Sequence, residues 1–396
     1  MVVDSGNNFR RYFIQFLIFI TLFISVDLGY SIYKIDKESK AVDPNAGLHH
    51  QNDLGFYWLD SNVNKGVYTF GSIKFPIYTN QYGFRCSNKW VDISDSIDAV
   101  FLGDSFTYGE GEWDQTFVGM YENLTRDKIF NCGSPSYSPS VYLYQYKKAL
   151  FTNRLKQSHK VFICLDISDI QDESTRWEYP IKKRNNIDMN GIEFPIIIEE
   201  TRVRRKLEDS LFLAKNAKSN QSFKDFISNH LRLTSFIYVF FKKIIFKKEL
   251  MDRQRAIFEA NSSLYRSGIT HIDWNALDTS QSGYKPLGVR MGLKKVGDRI
   301  KDISHLAKQY QGEVYIVIYP WPAQLLNDQS EFDWENYWSS FCKSNKIKLI
   351  NCFPEFKNKM KKGVNPQNFF IRGDIHYNEY GNKIIADKII ESSIVP

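Results

Sequence analysis

The stretch Asp98-Ala99-Val100-Phe101-Leu102-Gly103-Asp104-Ser105-Phe106-Thr107-Tyr108-Gly109-Glu110-Gly111 decides how this chain is read. An apolar run from Ala99 to Leu102 ends in Gly-Asp-Ser and then in glycines, the pattern of a buried strand that turns sharply into a helix or loop. At the C-terminal edge of a parallel sheet, a serine on such a turn exposes its hydroxyl, and the backbone N–H groups of the turn can face developing negative charge. The same residues also suit a simple Asp-Ser helix cap, so the far end of the chain carries weight. There, Arg372-Gly373-Asp374-Ile375-His376-Tyr377-Asn378-Glu379-Tyr380-Gly381-Asn382 brings an Asp and a His together just before an apolar-periodic helix, Ile384 to Ile390. Ser105, His376 and Asp374 are therefore candidates for one catalytic triad.

Strands and helices alternate between these ends. Asp98 to Leu102 is the first strand, Phe117 to Thr125 a helix, and Lys128 to Asn131 a second strand leading to Cys132-Gly133-Ser134-Pro135. A helix from Val141 to Leu150 precedes the apolar run Val161 to Leu165 and then Asp166-Ile167-Ser168-Asp169. After an interruption, a helix near Val289 to Tyr310 leads to the strand Val314 to Tyr319, which Pro320-Trp321-Pro322 ends at the same sheet edge. Trp334 to Ser344 reads as helix and Lys348 to Ile350 as strand. The pattern is α/β with a parallel sheet. It stops over about 173–282, a helical insertion whose basic, apolar piece Phe236 to Lys248 suits a lid helix or an interfacial one.

From Ala99 to Ile390, with that interruption, the chain resembles the SGNH (GDSL-type) hydrolase superfamily. The resemblance implies a three-layer flavodoxin-like fold with Ser105 as nucleophile, His376 as base and Asp374 as the acid that orients it. It also implies an oxyanion hole from the N–H groups of Ser105 and Gly133, the latter in Asn131-Cys132-Gly133. The family's third block, Gly-x-Asn-Asp, corresponds here to Asp166-Ile167-Ser168-Asp169, so Ser168 stands where the Asn donor is expected and Asp169 matches the Asp. A serine hydroxyl can donate one hydrogen bond, whereas an ionised Asp donates none. Asp169 is further expected to hold a loop or touch substrate, and Trp321 to line the site edge. The spacing Asp374-Ile375-His376 departs from the common Asp-x-x-His and resembles the branch related to exopolysaccharide O-acetyltransferases.

The N-terminus adds a location. Arg10-Arg11 precede an apolar segment from Tyr12 to Tyr33, interrupted by Asp27, and a membrane span needs about 20 residues. Basic residues before the segment favour a cytoplasmic N-terminus and an extracytoplasmic remainder, with Asp27 near the outer headgroups. A cleaved signal peptide is the rival reading, against which no small-x-small site follows Val26. Residues 1–33 read as a cytoplasmic tip and single-pass inner-membrane anchor, 34–97 as a linker and small β-rich subdomain, and 98–396 as the catalytic domain. His49 and His50 read as solvated loop residues. The five cysteines lack C-x-x-C spacing; Cys342 and Cys352 are the nearest pair in sequence, and Cys132 and Cys164 suit buried thiols. A net charge of +7 comes without a nucleic-acid motif, and no phosphate-cradling glycine pattern or metal-ligand spacing is present, so neither nucleic acid, cofactor nor metal is expected.

The reading that unites these features is a membrane-anchored serine hydrolase or acyltransferase acting on ester groups, O-acetyl above all, of an extracytoplasmic polysaccharide, with a membrane acyl-donor protein as a further partner. A lipase or lysophospholipase and a non-catalytic polysaccharide-assembly protein are the alternatives.

Overall fold

The computed structural model describes residues 5–39, 49–52, 54–70, 73–88, 96–179, 186–188, 190–198, 201, 284–326, 334–372 and 374–394. The chain divides into two compact units, residues 1–44 with 206–254, and residues 45–205 with 255–396. In the first, α1 (Ser5–Ser39) runs past the expected end at Tyr33. Its segment Tyr12–Ser31 has a mean hydropathy of 1.9 and is long and apolar enough to cross a membrane. Most of its apolar side chains are exposed, but Asp27 and Ser31 are buried.

In the second unit, β1 (His49–Gln51) pairs with β2 (Tyr57–Leu59) as a small antiparallel ribbon. An eight-stranded sheet is built from β3 (Gly66–Phe70), β4 (Ile73–Thr79), β5 (Arg85–Cys86), β6 (Ile97–Leu102), β7 (Ile129–Asn131), β8 (Leu155–Leu165), β11 (Glu313–Ile318) and β12 (Lys348–Asn351). Another ribbon pairs β9 (Trp177–Glu178) with β10 (Ile196–Ile197). The spatial order is β12-β11-β8-β6-β7-β5-β4-β3. The first five strands of that order are parallel, and β5, β4 and β3 continue antiparallel from β7.

The helices are α2 (Ser105–Tyr108), α3 (Phe117–Thr125), α4 (Pro139–Phe151), α5 (Ser168–Thr175), α6 (Gly288–Gln309), α7 (Pro322–Leu326), α8 (Trp334–Asn345), α9 (Phe353–Lys361) and α10 (Glu379–Ile394). From β6 the chain steps one way to β7, then crosses back to β8, β11 and β12. Right-handed crossovers in opposite directions put their helices on opposite faces. Accordingly α3 packs with α10, and α6 packs with α4 and α5. The fold is mixed α/β with a largely parallel central sheet, and the reversal of strand order lies between β6 and β8, where doubly wound sheets open a crevice. Near-continuous apolar runs make the central strands, because both faces are covered: Ala99 to Leu102 and Val161 to Leu165 are all fully buried.

Several expectations need correction. Residues 66–86 are not a separate subdomain, since β3, β4 and β5 extend the central sheet through the pairing of Arg85 with Asn131. His49 and His50 lie in β1, not in a loop, and His50 Nε2 pairs with Asp60. All five cysteines are buried free thiols, Cys342 and Cys352 included. The insertion is described only in part: α5 continues to Thr175 and the β9–β10 ribbon follows, while Phe236 to Lys248 lies outside the described residues.

Candidate active site

Ser105 is the first residue of α2, directly after β6. The turn is tight because Gly103 has no side chain: a Cβ there would fall 1.9 Å from Thr107 Oγ1. Asp104 caps the helix, its Oδ1 accepting the Phe106 N–H at 2.9 Å. From β5, the buried Arg85 guanidinium donates to the carbonyls of Tyr108, Gly109 and Gly111, the last at 2.6 Å. It lies over the rings of Phe75 and Tyr108 at 5.3 and 4.8 Å. One side chain thus fixes the backbone that follows the serine through three bonds to carbonyls.

His376 arrives on the loop before α10, which is tied down from three directions. Tyr377 Oη donates to the Pro320 carbonyl beyond β11, Tyr377 bridges to Phe370, and Asn378 Nδ2 donates to the carbonyls of Asn368 and Phe370 at 2.9 and 3.1 Å. The result brings together groups 271 positions apart: His376 Nε2 lies 2.8 Å from Ser105 Oγ. His376 Nδ1 lies 2.5 Å from Asp374 Oδ1, which also accepts the His376 backbone N–H at 2.9 Å. Phe106 packs on the imidazole at 4.7 Å between ring centroids, and Phe70 of β3 meets it edge to face at 5.2 Å. With its side chain 12% exposed, His376 is reachable from solvent.

Burial by itself would push the Asp374 carboxyl up. The hydrogen bond and charge of His376, with the N–H groups of His376 and Ile375, outweigh it and hold Asp374 below the usual carboxylate range. Glu110 is a buried carboxyl that the sequence reading passed over. Burial pushes it up to about 7, His376 and Arg85 pull against that, and Asp374 adds to it. Its Oε2 is enclosed without a hydrogen-bond partner. The signal was present in Gly109-Glu110-Gly111, a charged residue between glycines beside the nucleophile, but nothing in that pattern says it is buried.

The other expected site residues are engaged elsewhere. The Gly133 N–H donates to Asn131 Oδ1 at 3.0 Å, so it is not a free oxyanion donor. The position is reserved for glycine by proximity: a Cβ would come 2.6 Å from the Tyr108 nitrogen. Ser168 Oγ and the Ser168 N–H both donate to Asp166 Oδ1 at 2.6 Å, which turns the expected donor inward. Asp169 is buried, receiving Tyr142 Oη at 2.7 Å and the Asp166 N–H at 2.9 Å; it holds the loop and does not face substrate. Trp321 is also buried, 6.2 Å from the Phe106 ring, so it backs the site instead of lining its edge. Ser136, in the turn after Gly133, went unnoticed in the sequence. It holds a left-handed φ of 58°, and its carbonyl accepts Trp177 Nε1 at 2.9 Å. Among the described residues no group of three or more His, Cys, Asp or Glu is arranged to hold a metal ion.

No family model matches the chain, and no curated protein sequence matches it. Among solved structures it is similar to a lipolytic protein of the G-D-S-L family from Desulfitobacterium hafniense, at 9% identity and a TM-score of 0.35, over 74% of this chain and 98% of that one. It is also similar to a GDSL-like lipase from Bacteroides thetaiotaomicron, at 12% identity and a TM-score of 0.32, over 74% of this chain and 85% of the other.

Proposed function

We propose that the chain is a serine-dependent ester hydrolase or acyltransferase, with Ser105 as nucleophile, His376 as general base and Asp374 as the carboxylate that orients the imidazole. The observation that carries this reading is the continuous line from Ser105 Oγ through His376 to Asp374 Oδ1, with contacts of 2.8 and 2.5 Å. As Ser105 attacks an acyl carbonyl, its proton passes to His376 Nε2 and the imidazolium is stabilised by Asp374. The tetrahedral oxyanion is met by the Ser105 N–H at the start of α2. His376 then returns the proton to the departing alcohol. Water or a sugar hydroxyl resolves the acyl-enzyme in a second round.

The acyl group in this reading is short, acetyl above all, because the Asp374-Ile375-His376 spacing resembles the exopolysaccharide O-acetyltransferase branch. The acceptor or substrate is an extracytoplasmic polysaccharide, supported by the Tyr12–Ser31 helix and by Arg10 and Arg11 ahead of it. The test is made on the full chain in detergent, with acetyl esters and with an acetylated oligosaccharide followed by mass spectrometry. Ser105→Ala should lower turnover by at least about 10⁴-fold, the scale of losing a triad nucleophile. A fluorophosphonate should label Ser105 in the parent chain. Turnover that survives in Ser105→Ala, or label on another residue, would refute the assignment.

A further inference from the structure

Ser105 stands on α2, a helix of four residues closed by two bonds: the Tyr108 N–H to the Asp104 carbonyl at 2.8 Å and the Gly109 N–H to the Ser105 carbonyl at 2.9 Å. A single turn fixes more dihedral angles than its own bonds repay, so α2 has to be held from outside. At its start, Asp104 caps the Phe106 N–H. At its end, the carbonyls of Thr107 and Tyr108 lie in the last turn, where a helix supplies no partner of its own.

Both carbonyls are met by one cross-strand pair. Arg85 of β5 and Asn131 of β7 are partners in the antiparallel register, so their side chains leave the sheet on the same face. Asn131 Nδ2 donates to the Thr107 carbonyl at 2.9 Å. The Arg85 guanidinium donates to the Tyr108 carbonyl at 2.5 Å and, just beyond the helix, to those of Gly109 and Gly111. Arg85 is 1% exposed, and its guanidinium lies among the rings of Phe75, Tyr108 and Trp113 at 5.3, 4.8 and 5.8 Å. The seat is close enough that a Cβ at Gly109 would come 3.3 Å from Arg85 Nη1.

We propose that Arg85 and Asn131 act together as positioning residues that set the Ser105 hydroxyl against His376. The inference rests on Ser105 being the nucleophile. The two halves of that contact have separate supports. His376 is fixed through its own loop, by Tyr377 to Pro320 and by Asn378 to Asn368 and Phe370, and none of those bonds reaches α2. Loosening the serine half therefore leaves the histidine half where it is and opens the 2.8 Å contact between them. A misplacement of about 1 Å between reacting groups costs on the order of 10²-fold.

The two residues divide the work by their chemistry. The planar guanidinium spans three carbonyls and brings positive charge to the C-terminal end of α2, which a lysine ammonium on a flexible stem cannot do in the same way. Asn131 uses its amide twice, donating to Thr107 and accepting the Gly133 N–H at 3.0 Å, so it locks the neighbouring turn to α2.

The experiment uses the full chain in detergent and three readouts: the rate of Ser105 labelling by a fluorophosphonate, kcat and KM on an acetyl ester, and hydrogen exchange over 103–109. Arg85→Lys keeps the charge and loses the fork; Asn131→Ala loses the bond to Thr107 and is the second arm should Arg85→Lys not fold. Each should slow labelling by about 10- to 100-fold and lower kcat by a similar factor, with KM within about twofold of the parent. Exchange over 103–109 should quicken by about tenfold or more while β6, over 97–102, keeps its parental rate. Since both residues act on one short helix, the double variant should be at most about threefold slower than the slower single variant.

Labelling at the parental rate in either folded variant, a loss carried by KM alone, exchange that quickens equally in β6, or a double variant slowed by the full product of the two factors would each overturn the proposal. A parent chain that takes no label at Ser105 and turns over no ester, while both variants still quicken exchange over 103–109, would sink the esterase reading and leave the hold on α2 standing.

Discussion

The turns that leave β6 and β8 stand side by side at one sheet edge and use their serines in opposite ways. Ser105 sends its hydroxyl outward to a histidine from the other end of the chain, whereas Ser168 sends both its hydroxyl and its N–H inward to Asp166. The turn after β7 follows the second pattern, with the Gly133 N–H taken by Asn131. One turn is thus left open for chemistry, and its neighbours use their donors to hold it in place. A residue's location at the catalytic edge does not make it catalytic; what decides is whether its hydrogen is already taken.

The contrast can be broken hardest at the supporting side. Gly133→Ala would drive a methyl to 2.6 Å from the Tyr108 backbone nitrogen, directly behind α2. We expect a loss of about 3 kcal/mol or more in chemical denaturation, the scale of overpacking against backbone that cannot yield. An unchanged midpoint would mean that the two turns are not in the register described.

A more selective probe is Glu110→Gln. Glu110 titrates ordinarily near 4.5 and here at about 7, so its protonated form is the one the fold prefers. Stability from that preference is complete below the ordinary value and is lost as pH rises through about 7. The glutamine variant should match the parent near pH 4 and exceed it above pH 7, by up to about 3 kcal/mol at 1.36 kcal/mol per tenfold. Thermal melts at the two pH values test this; a gap of equal size at both would show that Glu110 is not titrating. The smallest effect sharpens the comparison most. Ser168→Ala should change kcat on an acetyl ester by less than about threefold, whereas removing an oxyanion donor costs about 10²- to 10³-fold.

The sequence carried the strands and helices of the parallel sheet well, because continuous apolar runs and 3.6-residue periodicity record burial directly. It also pointed to Ser105, Asp374 and His376, which the fold brings within hydrogen-bonding reach of one another. What it could not carry was the direction of hydrogen bonds. Gly133 and Ser168 occupy the expected edge, yet their donors depend on Asn131 and Asp166, residues that read as strand ends. Trp321 was misjudged for a related reason, and Asp169 was left between loop and substrate for the same one: an aromatic or a carboxylate after a strand looks the same whether it faces the cleft or the core. The extension of the sheet by β3 to β5 was hidden because those strands are short and rest on partners far away in sequence.

That extension bears on how the proposed catalytic apparatus could be moved or inherited. Phe70, which packs on His376, and Arg85, which fixes the backbone after Ser105, both precede the first parallel strand. A fragment cut at the start of β6 would contain every residue of the proposed triad and still lack one wall of the histidine and the clamp beneath the serine. The apparatus is therefore not a portable module that begins where its sequence motifs begin, and grafting it onto another chain would require the antiparallel strands that come before it.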